Sequence, residues 1–409
     1  MAATTRLLDY YLAVATSAAG VLFPNFRASG GPRPDWPASA PRVDDVAAAS
    51  AWLSTEWTNL VRTCLYAAAK GWSGHAMAFA VVVGPFLDDG HDEALLAVHG
   101  AARAAAELLG SACDPADRAI IELRTGWANL RLGRYDQASE HTERALVEYT
   151  GLGHAVGTSR CLGVLGLIRD FQGRYTDAVE DQLRGLELAR SAGLPAQEGR
   201  HLSNLAITYL RLEHYEAAAD VSRQAVDVLA ATGDLLTTAE PRYHLAISCA
   251  ELRRDFDEAL AMAEESLAVA MDHGRQTLSA LAIQAIGFIY LRMGDVNRAV
   301  DILGEALALG RRLDAPGMLA ELLNSFGEAC REAGDYARSI ECHREALDRA
   351  TAAADKPLVA RSEEFLGEAH CAAGRRACAD EHWRQALRRY TDLGIPTAVR
   401  RLRERLVTP

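Results

Sequence analysis

Cys161-Leu-Gly-Val-Leu-Gly-Leu-Ile-Arg-Asp-Phe-Gln-Gly-Arg-Tyr-Thr-Asp-Ala178 is the middle of one period of a pattern that runs along most of this chain. Leu162, Leu165 and Gly166 share one stripe at helical spacing. Gly173 stops that helix, because glycine takes the left-handed conformation that closes a helix end without strain. Tyr175 and Ala178 open a second helix, continued by Leu183, Leu186 and Leu188, and a loop around residues 193–195 ends it. A small residue recurs at the place of Gly166: Gly126, Gly166, Ala206, Ala246, Gly287, Gly327 and Gly367, at intervals of 40, 40, 40, 41, 40 and 40. A Gly often follows seven residues later (Gly133, Gly173, Gly294, Gly334, Gly374), then an aromatic (Tyr135, Tyr175, Tyr215, Phe256, Tyr336). A second small position completes the register: Ala138, Ala178, Ala218, Ala259, Ala299, Ser339 and Ala379. Self-similarity at this period means a stacked helical solenoid. The small residues let two helices cross closely, the aromatic is expected to fill the wedge between neighbouring units, and the two helices make each unit all-α.

Seven such units cover residues 117–393, and a degenerate first one occupies 71–116, with helices read from Trp72 to Leu87 and His91 to Leu109. Residues 394–409 read as a capping helix covering the last apolar face. Residues 1–70 differ: a helix from Thr5 to Leu22, a connector over 24–42 holding Pro24, Pro32, Pro34, Pro37 and Pro41, then a helix capped by Asp44 or Asp45 and ending near Lys70.

With 409 residues, 49% hydrophobic and 24% charged, the composition is globular, and the formal net charge is -12. An acidic chain is a poor neutraliser of phosphates, so direct nucleic-acid binding is not expected. The local exception, Arg400, Arg401, Arg403 and Arg405, reads as the solvated face of the capping helix. Lys70 and Lys356 are the only lysines, a bias of the genome. No stretch is long and apolar enough to span a membrane, and the start lacks the pattern of a signal peptide. Eight scattered cysteines without a CxxC read as reduced thiols of a cytoplasmic protein.

Leu165-Gly166, Tyr175, Ala178, then Leu205-Ala206, Tyr215, Ala218, Ala225, and Leu366-Gly367, Ala379, Ala386 resemble the tetratricopeptide repeat (TPR) signature. That resemblance implies a right-handed superhelical solenoid of helix-turn-helix units. The usual period is about 34 residues, so the surplus here is expected in the second helix and the loop after it. Arg6-Leu-Leu-Asp-Tyr-Tyr-Leu-Ala-Val-Ala15 and Ala51-Trp-Leu-Ser-Thr-Glu-Trp-Thr-Asn-Leu-Val61 look like the sequence that follows the nucleotide-binding NB-ARC module in large SARP-type regulators of antibiotic production. In that family a DNA-binding activation domain and an ATPase switch precede a long TPR region. No GxxxxGK[ST] loop occurs here, and Gly30-Gly31 lacks the following Lys. Neither ATP hydrolysis nor DNA binding therefore carries over, and the resemblance implies only the sensor part. Whether the chain is an excised fragment or a gene product without the other modules is left open.

Counting from the small anchors gives a groove on the first helices. Six residues back stand Ile120, Arg160, Arg200, Glu240, Leu281, Glu321 and Arg361; three back, Leu123, Gly163, Ser203, Tyr243, Gln284, Asn324 and Glu364; one forward, Trp127, Leu167, Ile207, Ile247, Phe288, Glu328 and Glu368. Apolar Ile207, Ile247 and Phe288 beside polar Tyr243, Gln284 and Asn324, with Arg160 and Arg200 at one edge, fit an extended peptide, a helix or a small metabolite. The competing reading has the arginines paired with acids such as Glu240, holding the stack in register. His343 with Cys342 and His370 with Cys371 lack zinc spacing, and no nucleophile elbow or HExxH appears. The sequence thus reads as a non-catalytic sensor, calling for no metal or cofactor, of a SARP-like activator. Its expected partner is a protein or peptide, its own upstream ATPase and DNA-binding modules included, or a small-molecule effector. The alternative is a free-standing receptor for a signalling peptide or an adaptor in a multiprotein complex.

Overall fold

The computed structural model describes residues 2–23, 42–87, 91–313 and 315–407. The proline-rich connector read over 24–42, with Gly30-Gly31, lies outside the described residues except for Arg42. Among the described residues there is no strand; the chain is an all-α stack of paired helices. It divides into two compact units, Met1–Ile168 and Arg169–Pro409. The first contains α1 (Ala2–Leu22), α2 (Val46–Ala69), α3 (Ser73–Leu87), α4 (Asp92–Leu109), α5 (Pro115–Arg131), α6 (Tyr135–Gly151) and most of α7 (Ala155–Phe171). The second holds α8 (Tyr175–Ser191), α9 (Pro195–Arg211), α10 (Tyr215–Ala230), α11 (Ala239–Glu251), α12 (Phe256–Asp272) and α13 (Gln276–Met293). It continues with α14 (Val296–Gly310), α15 (Pro316–Glu332), α16 (Tyr336–Ala352), α17 (Lys356–Ala372), α18 (Arg376–Asp392) and α19 (Pro396–Val407).

In the first unit α2 begins where Asp45 accepts a hydrogen bond from the Ala48 amide at 2.8 Å, satisfying one of the amides a helix start leaves open. Leu8, Leu12 and Ala15 of α1, Leu53 and Leu60 of α2, and Phe79 and Val82 of α3 join in one apolar core. Helix α3 is apolar almost all round and is buried over most of its length, as a helix without a polar face must be.

The forty-residue period resolves into two helices of about equal length. α8, α9, α12, α15, α16, α17 and α18 each have 17 residues, and the linkers between successive helices are short. The surplus over the usual TPR therefore lengthens both helices, not the second helix and its loop. Tight turns do this: after α7 the amide of Gly173 bonds to the Asp170 carbonyl and that of Arg174 to the Arg169 carbonyl. A left-handed residue reverses the chain in three steps.

The small anchors pack as the sequence reading required. A Cβ on Gly287 would lie 2.7 Å from Leu303 Cγ, and one on Gly327 would lie 2.7 Å from His343 Cε1. Gly126 meets Thr142, and Gly367 meets Trp383, in the same way. Each partner stands sixteen positions on, on the second helix of the unit. Where the anchor is Ala206 the corresponding residue is the small Ser222, and for Ala246 it is Ala263, seventeen on because that unit has one residue more. Volume is exchanged between two facing positions while the helices keep a fixed spacing. The aromatic position behaves differently from expectation. Tyr175 is buried but Tyr336 is 38% exposed, because this residue opens the second helix and is covered only where another turn reaches it.

Candidate functional site

Within the second unit, several ionisable side chains from the first helices turn towards one interior space. Glu321 of α15 lies within electrostatic range of Arg211, Asp355 and Arg361, and Arg361 of α17 is within range of Tyr390, Tyr215, Glu321 and Glu251. Arg211, the last residue of α9, sits 2.9 Å from Asp170 and 3.6 Å from Asp355, and its guanidinium lies 4.7 Å from the centre of the Phe171 ring. Burial opposes the charge on Arg211, but Asp170 and Asp355 outweigh it and hold the group protonated. Burial pushes the Asp170 carboxyl up against the pull of Arg211, and does the same to Glu321. Arg211, Glu213, Glu321, Asp355, Arg361 and Tyr390 line a narrow recess of about 30 Å³, partly open to solvent.

Neither the Glu321 carboxylate nor the Arg361 guanidinium makes an ion pair or side-chain hydrogen bond among the described residues. They face each other's field without contact. Glu240 and Arg200 are exposed, and Arg200 and Arg275 oppose the rise that the surrounding protein imposes on the Glu240 carboxyl. Arg200 is thus within reach of the acid with which the competing reading paired it.

The other counted residues are distributed as follows. The Tyr243 hydroxyl donates to Gln284 Oε1 at 3.5 Å, and the Gln284 amide donates to Ser325 Oγ at 2.7 Å and to the Glu321 carbonyl at 3.4 Å. Asn324 donates to Ser362 Oγ at 2.9 Å, and its Oδ1 lies 3.0 Å from His343 Nδ1. These polar side chains form rungs across α11, α13, α15 and α17. Gln284 and Asn324 are buried, since a residue three before the anchor faces the neighbouring first helix, not open space. Phe288 is buried too, with the Arg292 guanidinium 4.3 Å from its ring centre. Ile207, Ile247 and Tyr243 are half-buried. Arg160 falls in the first unit, close enough to Tyr149 to oppose the burial that pushes this phenol up to about 12.

Counting from the anchors missed the residues at the ends of the turns. Arg401 of α19 donates to both oxygens of Glu213, at 2.9 and 2.8 Å, and to both of Glu364, at 2.7 and 3.0 Å. Arg405 pairs with Glu368. The arginine tail is therefore not a uniformly solvated face: two of its four members are docked. Burial pushes the Glu213 carboxyl up, but the bonds from Arg401 prevail and hold it below the ordinary carboxylate range. A signal was available for Glu213, which stands where Gly133, Gly173, Gly294, Gly334 and Gly374 stand in sister turns.

Among the described residues no group of three or more His, Cys, Asp or Glu is placed to hold a metal ion, and no helix is long and apolar enough to cross a membrane. His343 is buried against Asn324, and His370 stacks on His382 at 5.4 Å.

Residues 276–352 and 318–392 match the tetratricopeptide repeat family. Regulatory protein AfsR of Streptomyces griseus is 24% identical over 350 residues, covering 77% of this chain and 35% of its own length. The chain thus spans about a third of that relative. Among solved structures, the apo form of RapI superposes with a TM-score of 0.57 at 15% identity, covering 68% of this chain and 98% of its own. A Rap protein complexed with competence and sporulation factor gives 0.56 at 13% identity, covering 81% and 96%. NprR in complex with its cognate peptide NprX gives 0.51 at 17% identity, covering 66% and 78%. At these identities the likeness is one of fold: a TPR-type helical solenoid.

Proposed function

We propose that this chain is the sensor region of a transcriptional regulator, receiving a peptide or protein segment inside the second unit and doing no chemistry on it. One observation carries the reading: Glu321 and Arg361 hold opposite charges inside the fold without a direct partner. Charges drawn partly out of water without contact leave desolvation uncompensated. A segment offering an ammonium to Glu321 and a carboxylate to Arg361 would supply charge-assisted bonds to both. Ile207 and Ile247 would give it apolar footing and Tyr243 an orienting hydroxyl, with Gln284, Asn324 and Phe288 holding the wall from behind. The exposed Arg200 and Glu240 are the proposed entry for such a segment.

The finer reading is a SARP-like activator of secondary metabolism whose upstream ATPase and DNA-binding modules are the partners. The two N-terminal segments quoted above support it, as does similarity to a regulatory protein about two and a half times as long.

The test is fluorescence anisotropy of the full chain with a labelled library of hexapeptides having free termini. Binders are expected to lose at least tenfold in affinity on Arg361→Met or Glu321→Gln, and also on Arg200→Glu combined with Tyr243→Ala, with circular dichroism unchanged. Absence of any binder, or equal binding by all the variants, overturns the reading.

A further inference from the structure

We infer that the contact between Glu213 and Arg401 is a latch, which joins the two ends of the second unit and keeps the space beside Arg361 narrow. The residues are 188 apart in sequence, whereas the stacking contacts of a solenoid join neighbouring units. Glu213 lies in the turn after α9, and Arg401 lies in the terminal helix. Two further contacts close the same seam: Arg211 with Asp355 at 3.6 Å, and Leu393 against Gly173, where any Cβ would collide with it. Tyr175 is buried in one cluster with Tyr390 and Leu393.

Three features make this seam a device that can open. First, it is built largely from turns: residues 173, 213, 355 and 393 all lie between helices. Parting them separates no two helices of one repeat, although it uncovers Tyr175 of α8 from Tyr390 of α18. Second, water reaches one side of its ion pair: the Arg401 side chain is 36% exposed, though Glu213 is only 13%. Third, Glu213 has φ 60°, a left-handed backbone that favours glycine. Five sister turns do carry glycine there, and Arg253, which is solvent-exposed, is the other exception. Left-handed non-glycine residues also occur at Arg253, Asp255 and Ala354, but at Glu213 the carboxylate holds Arg401. In this form the recess beside Arg361 is narrow, about 30 Å³, and parting the seam would widen it on this side. The inference stands on the closed geometry and does not require the peptide reading.

Hydrogen exchange by mass spectrometry on the full chain tests it without a ligand. Glu213→Arg sets like charges face to face, and Glu213→Gln removes the charge with little change of shape. With either, exchange at residues 208–216 and 390–405 is expected to rise about tenfold, while α13 and α14 stay unchanged. Glu213→Gly separates the two roles of the residue, because it relaxes the backbone while deleting the carboxylate: a latch opens, whereas a mere turn residue leaves exchange flat or slower. As a second readout, Leu358→Cys lines the recess and is expected to react with N-ethylmaleimide at least tenfold faster in the Glu213→Arg background, located by peptide mapping. Unchanged exchange at both segments, or loss of protection spread evenly over α8–α19, overturns the latch.

Discussion

Gly287 and Leu303 offer the sharpest test of how the repeat is held together. A Cβ at Gly287 would sit 2.7 Å from Leu303 Cγ, 3.0 Å from Leu303 Cδ2 and 3.2 Å from Ile302 Cγ2. Two effects oppose each other in Gly287→Ala. Helix propensity favours alanine by about 1 kcal/mol, while forcing a methyl into a filled space costs about 1–3 kcal/mol. The second wins, so a net loss near 1 kcal/mol is expected. Leu303→Ala alone empties a fully buried site and should cost about 2–5 kcal/mol. In the double variant the clash is gone, the propensity gain of about 1 kcal/mol remains, and the new methyl fills part of the cavity, worth a further ~0.8 kcal/mol. Gly287→Ala should therefore change sign, destabilising the wild type and stabilising Leu303→Ala, with a coupling of about -2 to -3 kcal/mol. The double variant reproduces what Ala246 and Ala263 already do one unit earlier. Urea unfolding of all four proteins, with hydrogen exchange in α13 and α14 as the local readout, measures the cycle. Additivity within about 0.5 kcal/mol would refute the claim that the two positions share one volume.

Two further outcomes follow from burial. Burial lowers His99 to about 3, His244 to about 4 and His343 to about 3 from an ordinary 6.5; as pH falls below 6.5 the unfolded chain takes up protons that the folded chain refuses. Stability should thus fall with acid by up to about 1.4 kcal/mol per pH unit for each histidine, and His343→Gln should flatten the slope between pH 6.5 and 5 by about one proton; an unaltered slope would contradict the assignment. The native chain should show two fast thiols towards Ellman's reagent, Cys371 and Cys378, and eight after denaturation, because the other six cysteines are buried and burial pushes Cys64, Cys161 and Cys342 up to about 12. More than two fast thiols in the native chain would contradict this.

What the sequence revealed was what repeats. The anchors from Gly126 to Gly367, the closing glycines and the Asp45 cap are local devices, each set by residues a few positions away or by a partner at fixed separation. The same reasoning went astray wherever the answer depended on direction or on distance along the chain. Spacing placed Gln284 and Asn324 on a first helix but could not say that they point at the next helix instead of into the open space. Turn length was not legible either, since a left-handed residue closes a turn in three steps whatever the total period, and the surplus then goes into both helices.

Seam contacts are invisible to periodicity for a different reason. Stacking contacts recur at each unit, so selection on packing imprints the same residue type every forty positions. A contact that joins Glu213 to Arg401 occurs once, and it can mark the sequence only by breaking the pattern. The break is present: glycine is replaced by glutamate at a position whose backbone prefers glycine, and arginine appears in a terminal helix that needs only to be polar outside. In an array of this kind the departures from the repeat, set against the conformation each position must adopt, are therefore where the long-range contacts are to be sought.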